Sequence, residues 1–271
     1  MQVDYARLAK GHLDVVVKDK IAVATMNRPD RMNAMGDGMH EAIEDFFQMI
    51  PYDKNVNVAV ITGAGRGFCA GGDVKAMGDR ASGKAEAQRP GEILLGAKRI
   101  VMNMVNCEVP TIAAINGPAI GLGCTIALLC DVTFIADTAR IGDNHVRVGI
   151  TAGDGGALIW PYLIGAHKAK ELLITGRLIT GEEAHKLGLV NHCTTADKVL
   201  DEAMVLAREL AAGPTIAQRF TKISVNRHIW DGLVRVMDFC LMSEQVCMSS
   251  QDHLEATTAF KEKRQPVFKG R

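Results

Sequence analysis

Short apolar runs alternate with amphipathic stretches along the first part of the chain. Residues 14–17 and Ile21–Met26 are β-type runs on either side of a charged turn, and residues 57–62 form a β-branched run typical of a strand covered on both faces. Between them, apolar side chains recur at helical spacing over residues 39–47. This pattern predicts two strands, a helix that buries one face, and a third strand.

The same alternation continues through the middle of the chain. Residues 91–107 have a helical pattern, Thr111–Ile115 is another β-type run, and a Gly-rich turn at residues 121–123 opens an apolar helix. A short β-rich run follows that helix. Strands that alternate with turns and helices are typical of an α/β core.

Helical patterns dominate the remainder of the chain. Candidate helices span residues 166–175, 180–187 and 196–211. From residue 215 onward the apolar spacing predicts further helices. The change in pattern near residue 200 divides the chain into a mixed core, residues 1–199, and a C-terminal helical region, residues 200–271.

Composition and charge restrict the partners. The 271 residues include 48% hydrophobic and 23% charged side chains, enough to bury one substantial core. Lys and Arg total 31, as do Asp and Glu, so no net field attracts nucleic acid or an anionic membrane. No segment has the pattern of a signal peptide or a membrane span, and the 7 cysteines form no CxxC pair. These features predict a cytoplasmic protein in a reducing compartment.

Two Gly-rich turns and two polar side chains carry the candidate chemistry. Glycines cluster over residues 63–72 and again over residues 121–123, where main-chain N–H groups can approach a ligand closely. Such groups at a helix start stabilise developing negative charge. His145 and Asp154 follow in polar or Gly-rich loops, and an imidazole with a carboxylate can move protons beside that charge. The combination predicts an enzyme.

Several ordered motifs resemble the crotonase superfamily, the enoyl-CoA hydratase and isomerase group. They are RGFCAGGDVKAM at residues 66–77, PTIAAINGPAIGLGCTIALLCDVTFIADTARIG at residues 110–142, and GITAGDGG at residues 149–156. The resemblance implies a spiral of ββα units with two roughly perpendicular sheets. It also implies a C-terminal helical region through which the protein forms a homotrimer or homohexamer.

The resemblance assigns an oxyanion hole and a substrate class. The main-chain N–H groups of Gly72 and Leu122 are expected to hold an enolate, and one such donor typically lowers the barrier by on the order of 3 kcal/mol. Coenzyme A is expected as part of an acyl-CoA substrate, with no separate cofactor required. Its adenine is expected near Ala70, and Arg28 and Lys75 are the candidates for its phosphates.

Two positions depart from the hydratases that this family contains. Those hydratases carry one glutamate after the Gly-rich turn and a second further along the chain, and the pair adds water across the enoyl double bond. This chain has Thr125 and His145 at those positions. The difference argues against hydration by the two-glutamate route.

The run DNHVRVGITAGDGGALIWPYLIG resembles instead a branch that hydrolyses carbon–carbon bonds in β-diketones and includes oxocamphor hydrolase. That resemblance implies His145, Asp154 and Glu244 as catalytic residues. The second histidine of that branch is absent, because Gly123 occupies its position. The substrate can therefore be a free β-diketone or an acyl-CoA ester.

These residues suggest hydrolytic carbon–carbon cleavage in the retro-Claisen sense. His145, with a reference pKa near 6.5, is expected to activate water for attack on a ketone carbonyl while the oxyanion hole holds the enolate. Asp154 would fix the tautomer of His145 or, like Glu244, protonate the enolate. No metal is expected, because residues 143–145 have no second cluster to complete a metal site.

Other functions are consistent with the same residues. An isomerase or atypical hydratase would use the same oxyanion hole with Asp154 as the proton shuttle. A non-catalytic binding protein with the crotonase fold would use neither. Structural explanations also exist: His145 can be a satisfied loop histidine, Asp154 a helix N-cap, and Glu244 a solvated charge on a helix face.

The acyl group of the substrate is not identified by the sequence. Residues 79–90 are small and polar, and this stretch is expected to form a loop beside the first Gly-rich turn. Together with the helices near Trp230 and Phe239, the loop is expected to set the size of the substrate pocket.

Overall fold

The computed structural model describes residues 3–36, 38–73 and 92–271. The strands are β1 (Leu13–Lys18), β2 (Ile21–Met26), β3 (Val58–Gly63), β4 (Thr111–Ile115), β5 (Ala119–Ile120), β6 (Val132–Ala136), β7 (Arg140–Gly142), β8 (Ile179–Thr180) and β9 (His192–Thr194). The helices are α1 (Met39–Met49), α2 (Glu92–Asn106), α3 (Leu122–Leu129), α4 (Gly156–Thr175), α5 (Gly181–Lys186), α6 (Val199–Ala212), α7 (Thr215–Met248) and α8 (Gln251–Glu262). The predicted α/β class is confirmed.

The larger sheet has the strand order β1-β2-β3-β4-β6-β9. β1 and β2 form an antiparallel hairpin, and the other neighbours in this sheet pair in parallel. β3 and β4 are buried along their whole length. Near-continuous apolar strands of this kind are typical of a parallel sheet covered on both faces, and α6 packs on it against β3, β4 and β6.

The smaller sheet brings two distant parts of the sequence together. β5, β7 and β8 form this sheet, and β5 pairs in parallel with β7, Ala119 opposite Ile141 and Ile120 opposite Gly142. The ends of parallel strands lie at the same edge of a sheet. The turn that follows β5 and the loop that follows β7 are therefore neighbours, and these segments carry Leu122 and His145.

One helix begins earlier than the sequence pattern predicts. The helix expected over residues 166–175 is the second part of α4, which starts at Gly156. Gly165, at φ 75°, interrupts α4, and Pro161 lies within the first part. Glycine and proline are poor helix formers, so the helical pattern is weak where α4 begins.

The predicted division at residues 199 and 200 coincides with the start of α6. This helix buries Val199, Ala203 and Ala207 and packs on the larger sheet, so the sheet-packed part of the molecule continues to the end of α6. The division into two regions stays a prediction. α7 and α8 form the expected C-terminal helices, and the homotrimer or homohexamer also stays a prediction.

A membrane span requires a helix that is both long and strongly apolar. In the part of the chain that the structure describes, no helix meets both conditions.

Candidate active site

The two Gly-rich turns lie against each other. Cys69 forms a parallel bridge with Ala119, which places the first turn alongside β5. Gly71 has φ 80°, and a Cβ atom there would lie 2.5 Å from the carbonyl oxygen of Ile120. Only glycine permits both this backbone conformation and this approach. The close contact brings Gly72 next to the turn that leads into α3.

The second turn presents a helix N-terminus. Gly121 has φ 55° and ψ −127°, and α3 begins at Leu122. The first amides of a helix have no partner within it. Among the described residues, neither the Gly72 nor the Leu122 N–H donates a hydrogen bond to a protein acceptor. The geometry is compatible with the predicted oxyanion hole, whose role stays a prediction.

The His145 ring packs against this turn. A Cβ atom on Gly121 would be 3.3 Å from both Cε1 and Nε2 of His145. The Nδ1 atom lies 2.6 Å from Oδ1 of Asp143, and the same carboxylate oxygen accepts the His145 main-chain N–H at 3.2 Å. His145 is thus held at its backbone and at its ring by one side chain.

Asp154 faces the opposite edge of the imidazole. Its Oδ2 lies 3.3 Å from Nε2 of His145, and its Oδ1 accepts the Thr125 hydroxyl at 3.4 Å. The glycines beside Asp154 make this packing possible. A Cβ atom on Gly155, which has φ 115°, would lie 2.7 Å from Cγ2 of Thr125.

Glu244 reaches the same cluster from α7. The residue is 4% exposed, and its Oε2 has no hydrogen-bond partner among the described residues. Glu244 lies against the loop that carries Asp154, since a Cβ atom on Gly153 would be 2.4 Å from Oε2. The structure therefore brings together His145, Asp154 and Glu244. The burial of Glu244 rules out its interpretation as a solvated charge on a helix face.

Burial and mutual charge set the protonation states of the cluster. Burial alone would lower the pKa of His145, but the negative charges of Asp143 and Asp154 and the hydrogen bond to Asp143 raise this pKa well above its usual value. Burial raises the pKa of Asp154 to about 6, against the lowering effect of His145. Burial, reinforced by the charge of Asp154, raises the pKa of Glu244 to about 8. These shifts favour an imidazolium at His145 and make Asp154 the more acidic of the two carboxyl groups.

These protonation states change the expected roles. The sequence predicts His145 as the base that activates water near neutral pH. An imidazole that already carries its proton cannot accept another, so the geometry does not support that role in the resting site. Asp154 is the ionised group with a pKa just below neutrality, and Glu244 is the available acid.

The expectation that residues 143–145 lack a further group for a metal site needs correction. Ligand-type atoms of Asp143, His145 and Asp154 all lie within 4.8 Å of one another, because the fold adds Asp154 from a loop distant in sequence. Both ring nitrogens of His145 face carboxylate oxygens at hydrogen-bonding or ion-pair distance. Hydrogen bonding and charge pairing therefore account for this cluster, and no mechanistic role for a metal follows from it.

Two of the three candidates for coenzyme A binding lie in the described part of the chain. Arg28 is 7% exposed, and its Nη1 donates to the carbonyl oxygen of Ala34 at 2.8 Å, so it supports the loop after β2. Ala70 is half-buried in the first Gly-rich turn. Lys75 lies outside the described residues. The assignment of all three to coenzyme A stays a prediction.

The contribution of the helices near Trp230 and Phe239 to the substrate pocket stays a prediction. Trp230 lines a cavity of about 570 Å³ together with Tyr52, Asn103 and other residues, none of which belongs to the acid–base cluster. Phe239 is 68% exposed. The loop at residues 79–90 lies outside the described residues. Neither aromatic side chain is therefore assigned to the substrate site.

Asp143 is the site residue that sequence reasoning missed. The residue is 2% exposed and makes the shortest polar contact of His145. The local sequence does indicate this contact, because Asp143 lies two residues before His145. At that spacing an aspartate can accept the main-chain N–H of the later residue.

Comparisons with known proteins agree on one family. A family model described as enoyl-CoA hydratase/isomerase matches residues 17–271. A crotonyl-CoA hydratase from Syntrophomonas wolfei is 34% identical over 252 residues, which cover 93% of this chain and 95% of that protein. A short-chain-enoyl-CoA hydratase from Clostridium acetobutylicum is 33% identical over 246 residues, covering 90% and 92%.

A solved structure is similar over nearly the whole fold. The crystal structure of an enoyl-CoA hydratase/isomerase from Mycobacterium paratuberculosis matches with a TM-score of 0.86 and 35% identity, covering 92% of this chain and 98% of that one. These relatives are named as hydratases or isomerases. The narrower resemblance to the β-diketone hydrolases receives no support from them.

Proposed function

The chain belongs to the enoyl-CoA hydratase/isomerase family, and from that premise we propose that it is an acyl-CoA enzyme that hydrates an enoyl thioester by an atypical acid–base pair. Asp154 takes the role of base and Glu244 the role of acid. The observation that carries the proposal is that both carboxyl groups are buried in one cluster with His145, where burial raises the pKa of Asp154 to about 6 and that of Glu244 to about 8. Hydration needs a base and an acid.

The proposed reaction uses both groups and both Gly-rich turns. Asp154 accepts a proton from water as the water oxygen bonds to the β-carbon. The electron pair of the double bond moves toward the thioester and forms an enolate, which the N–H groups of Gly72 and Leu122 stabilise. Glu244 then gives its proton to the α-carbon. His145 remains protonated and stabilises the ionised form of Asp154 by its charge.

A second candidate is hydrolytic carbon–carbon cleavage. The contact of the His145 ring with the turn at Gly121 favours it. Water would attack a ketone carbonyl, the adjacent carbon–carbon bond would break to give a carboxylic acid and an enolate, and Glu244 would protonate the enolate. This route requires a base for water, and in the resting site that base is again Asp154. An isomerase would use Asp154 and Glu244 without attacking water.

One substrate panel separates these reactions. The purified protein is incubated with 2-enoyl-CoA thioesters of increasing chain length, 3-enoyl-CoA thioesters and cyclic β-diketones, each in ¹⁸O-labelled water. We expect loss of the conjugated enoyl absorbance and one ¹⁸O atom in a hydroxyl product. Label in a new carboxylate would establish hydrolysis instead, and a 2-enoyl product without label would establish isomerisation. Acyl-CoA binding without any turnover would contradict all three and indicate a binding protein.

The activity is expected to follow a bell-shaped pH profile. Asp154 must be ionised, so kcat/KM falls as the pH drops below about 6, and Glu244 must be protonated, so kcat/KM falls as the pH rises above about 8. The measurement is initial rate between pH 5 and pH 9.5, with circular dichroism to confirm folding at each pH. In Glu244→Gln the residual activity should lose its alkaline limb. An unchanged alkaline limb in that variant would remove Glu244 from the role of acid.

A further inference from the structure

Asp143 has the contacts of a residue that orients another side chain. It follows β7, and its Oδ1 meets both the main-chain N–H and the Nδ1 atom of His145, at 3.2 Å and 2.6 Å. Two contacts on one oxygen fix the backbone and the ring together. On the other side of the ring, Nε2 lies 3.3 Å from Oδ2 of Asp154. Carboxylates on both sides of an imidazole favour its protonated form.

The surroundings of Asp143 are built to admit its carboxylate. The Oδ2 atom is buried and has no hydrogen-bond partner among the described residues. A Cβ atom on Gly156 would lie only 2.1 Å from this oxygen, so the first residue of α4 must be glycine for the carboxylate to remain in place. A buried carboxylate oxygen without a partner costs free energy. Stability alone does not explain why such a group lies here.

We propose that Asp143 is a positioning residue of the active site, which holds the His145 ring in its protonated form and directed at Asp154. This inference rests on the proposed acid–base role of Asp154. Asp143 touches no reacting atom in that scheme. Its contribution is to keep the imidazolium as a fixed positive charge beside the base, so that Asp154 is ionised at the pH at which Glu244 still carries its proton.

Titratable groups in the cluster and on the neighbouring helices define what the test must separate. Asp154 approaches from the loop before α4, and Glu244 from α7. α3 contributes the buried thiol of Cys124, whose pKa burial raises well above its usual value. α8 contributes His253, which contacts the carbonyl oxygen of Val148. Of these groups, Asp143 alone touches the Nδ1 side of the ring.

The first test is Asp143→Asn, which keeps the size of the side chain and removes its charge. We expect His145 to lose its proton at a lower pH, observed as the titration of its ¹³Cε1 resonance in histidine-labelled protein and assigned with His145→Gln. At pH values above the pKa of His145, a fall of one unit in that pKa lowers the protonated fraction about tenfold. kcat should fall with KM nearly unchanged, because Asp154 loses the fixed positive charge beside it. An unmoved His145 resonance would overturn the proposal.

A second variant changes no titratable residue. Gly156→Ala lies at a helical position where alanine is favoured, yet its Cβ atom would displace the Asp143 carboxylate. We expect the same direction of change in the His145 titration and in kcat. Because it preserves Asp143, this variant tests the proposal even if Asp143→Asn does not fold. A wild-type titration in Gly156→Ala, with the protein folded, would contradict the proposed mechanism of positioning.

The control is a buried aspartate outside the site. Asp53 is 3% exposed and accepts hydrogen bonds from the Tyr5 hydroxyl and the Asn55 N–H. Asp53→Asn should leave the His145 titration and the pH profile unchanged. The resonance titration needs no substrate, so it separates two failures. A shifted His145 in a protein that hydrates no enoyl thioester would support the positioning role and reject the proposed function.

Discussion

Replacing Asp154 with asparagine is expected to lower kcat about 10²–10⁴-fold, the range that one general acid or base contributes. Asparagine has nearly the same shape and can still accept the Thr125 hydroxyl that reaches Asp154 at 3.4 Å. It cannot take a proton from water at neutral pH. The loss should therefore fall on kcat, with little change in KM, because no binding contact is removed. The measurement is steady-state kinetics on the substrate that the panel identifies.

Further measurements decide whether the loss of turnover comes from the chemical step. Thermal unfolding and acyl-CoA binding should be close to those of the wild type, and Asp53→Asn should retain full turnover. The acidic limb of the pH profile, assigned to Asp154 with its pKa of about 6, should disappear from the residual rate. Turnover within threefold of the wild type would exclude Asp154 as the base.

Removing the buried amine of Lys222 is expected to lower the free energy of unfolding by about 1.5–3 kcal/mol, the range typical of a hydrogen bond made by a charged group. Lys222 Nζ lies 2.8 Å from Oδ2 of Asp131 and donates to the carbonyl oxygen of Val109 at 2.8 Å. These contacts join α7 to the start of β4, where Asp131 also accepts the Thr111 N–H. Lys222→Ala leaves a carboxylate without its counter-charge at this junction.

The measurement is urea unfolding at one fixed protein concentration, since assembly would make stability depend on concentration. A double variant, Lys222→Met with Asp131→Asn, should recover most of the loss because neither partner is then charged. Lys186→Ala is the matched control: its amine pairs with Glu182 at 2.7 Å on the surface, and solvent screens such pairs. Equal destabilisation by Lys186→Ala and Lys222→Ala would refute the buried-pair argument.

The acid–base cluster shows why the type of a residue does not fix its protonation state. The sequence predicts His145 as a base because a free imidazole titrates near neutral pH. In the fold, carboxylates lie on both sides of the ring and raise its pKa well above that range. Protonation is set by neighbours within a few ångströms, and no local pattern predicts which distant loop supplies them.

The sequence by itself determined the local features of this protein. β4 begins and ends where the apolar run does, and α3 opens at the predicted Gly-rich turn. Apolar spacing and glycine act through the backbone of a few consecutive residues, so they can be interpreted without knowledge of the rest of the chain. The family resemblance extended this to the α/β class and to the enoyl-CoA hydratase/isomerase family.

Only the tertiary structure decided how the candidate site is arranged. It placed Glu244 of α7 against Gly153, added Asp143 to His145, and gave the two buried carboxyl groups different pKa values. It also placed the guanidinium of Arg28 where it donates to the carbonyl oxygen of Ala34. Desolvation and charge–charge interactions depend on burial and on distances between residues far apart in sequence. These quantities exist only once the chain has folded, and they decide which group carries the proton.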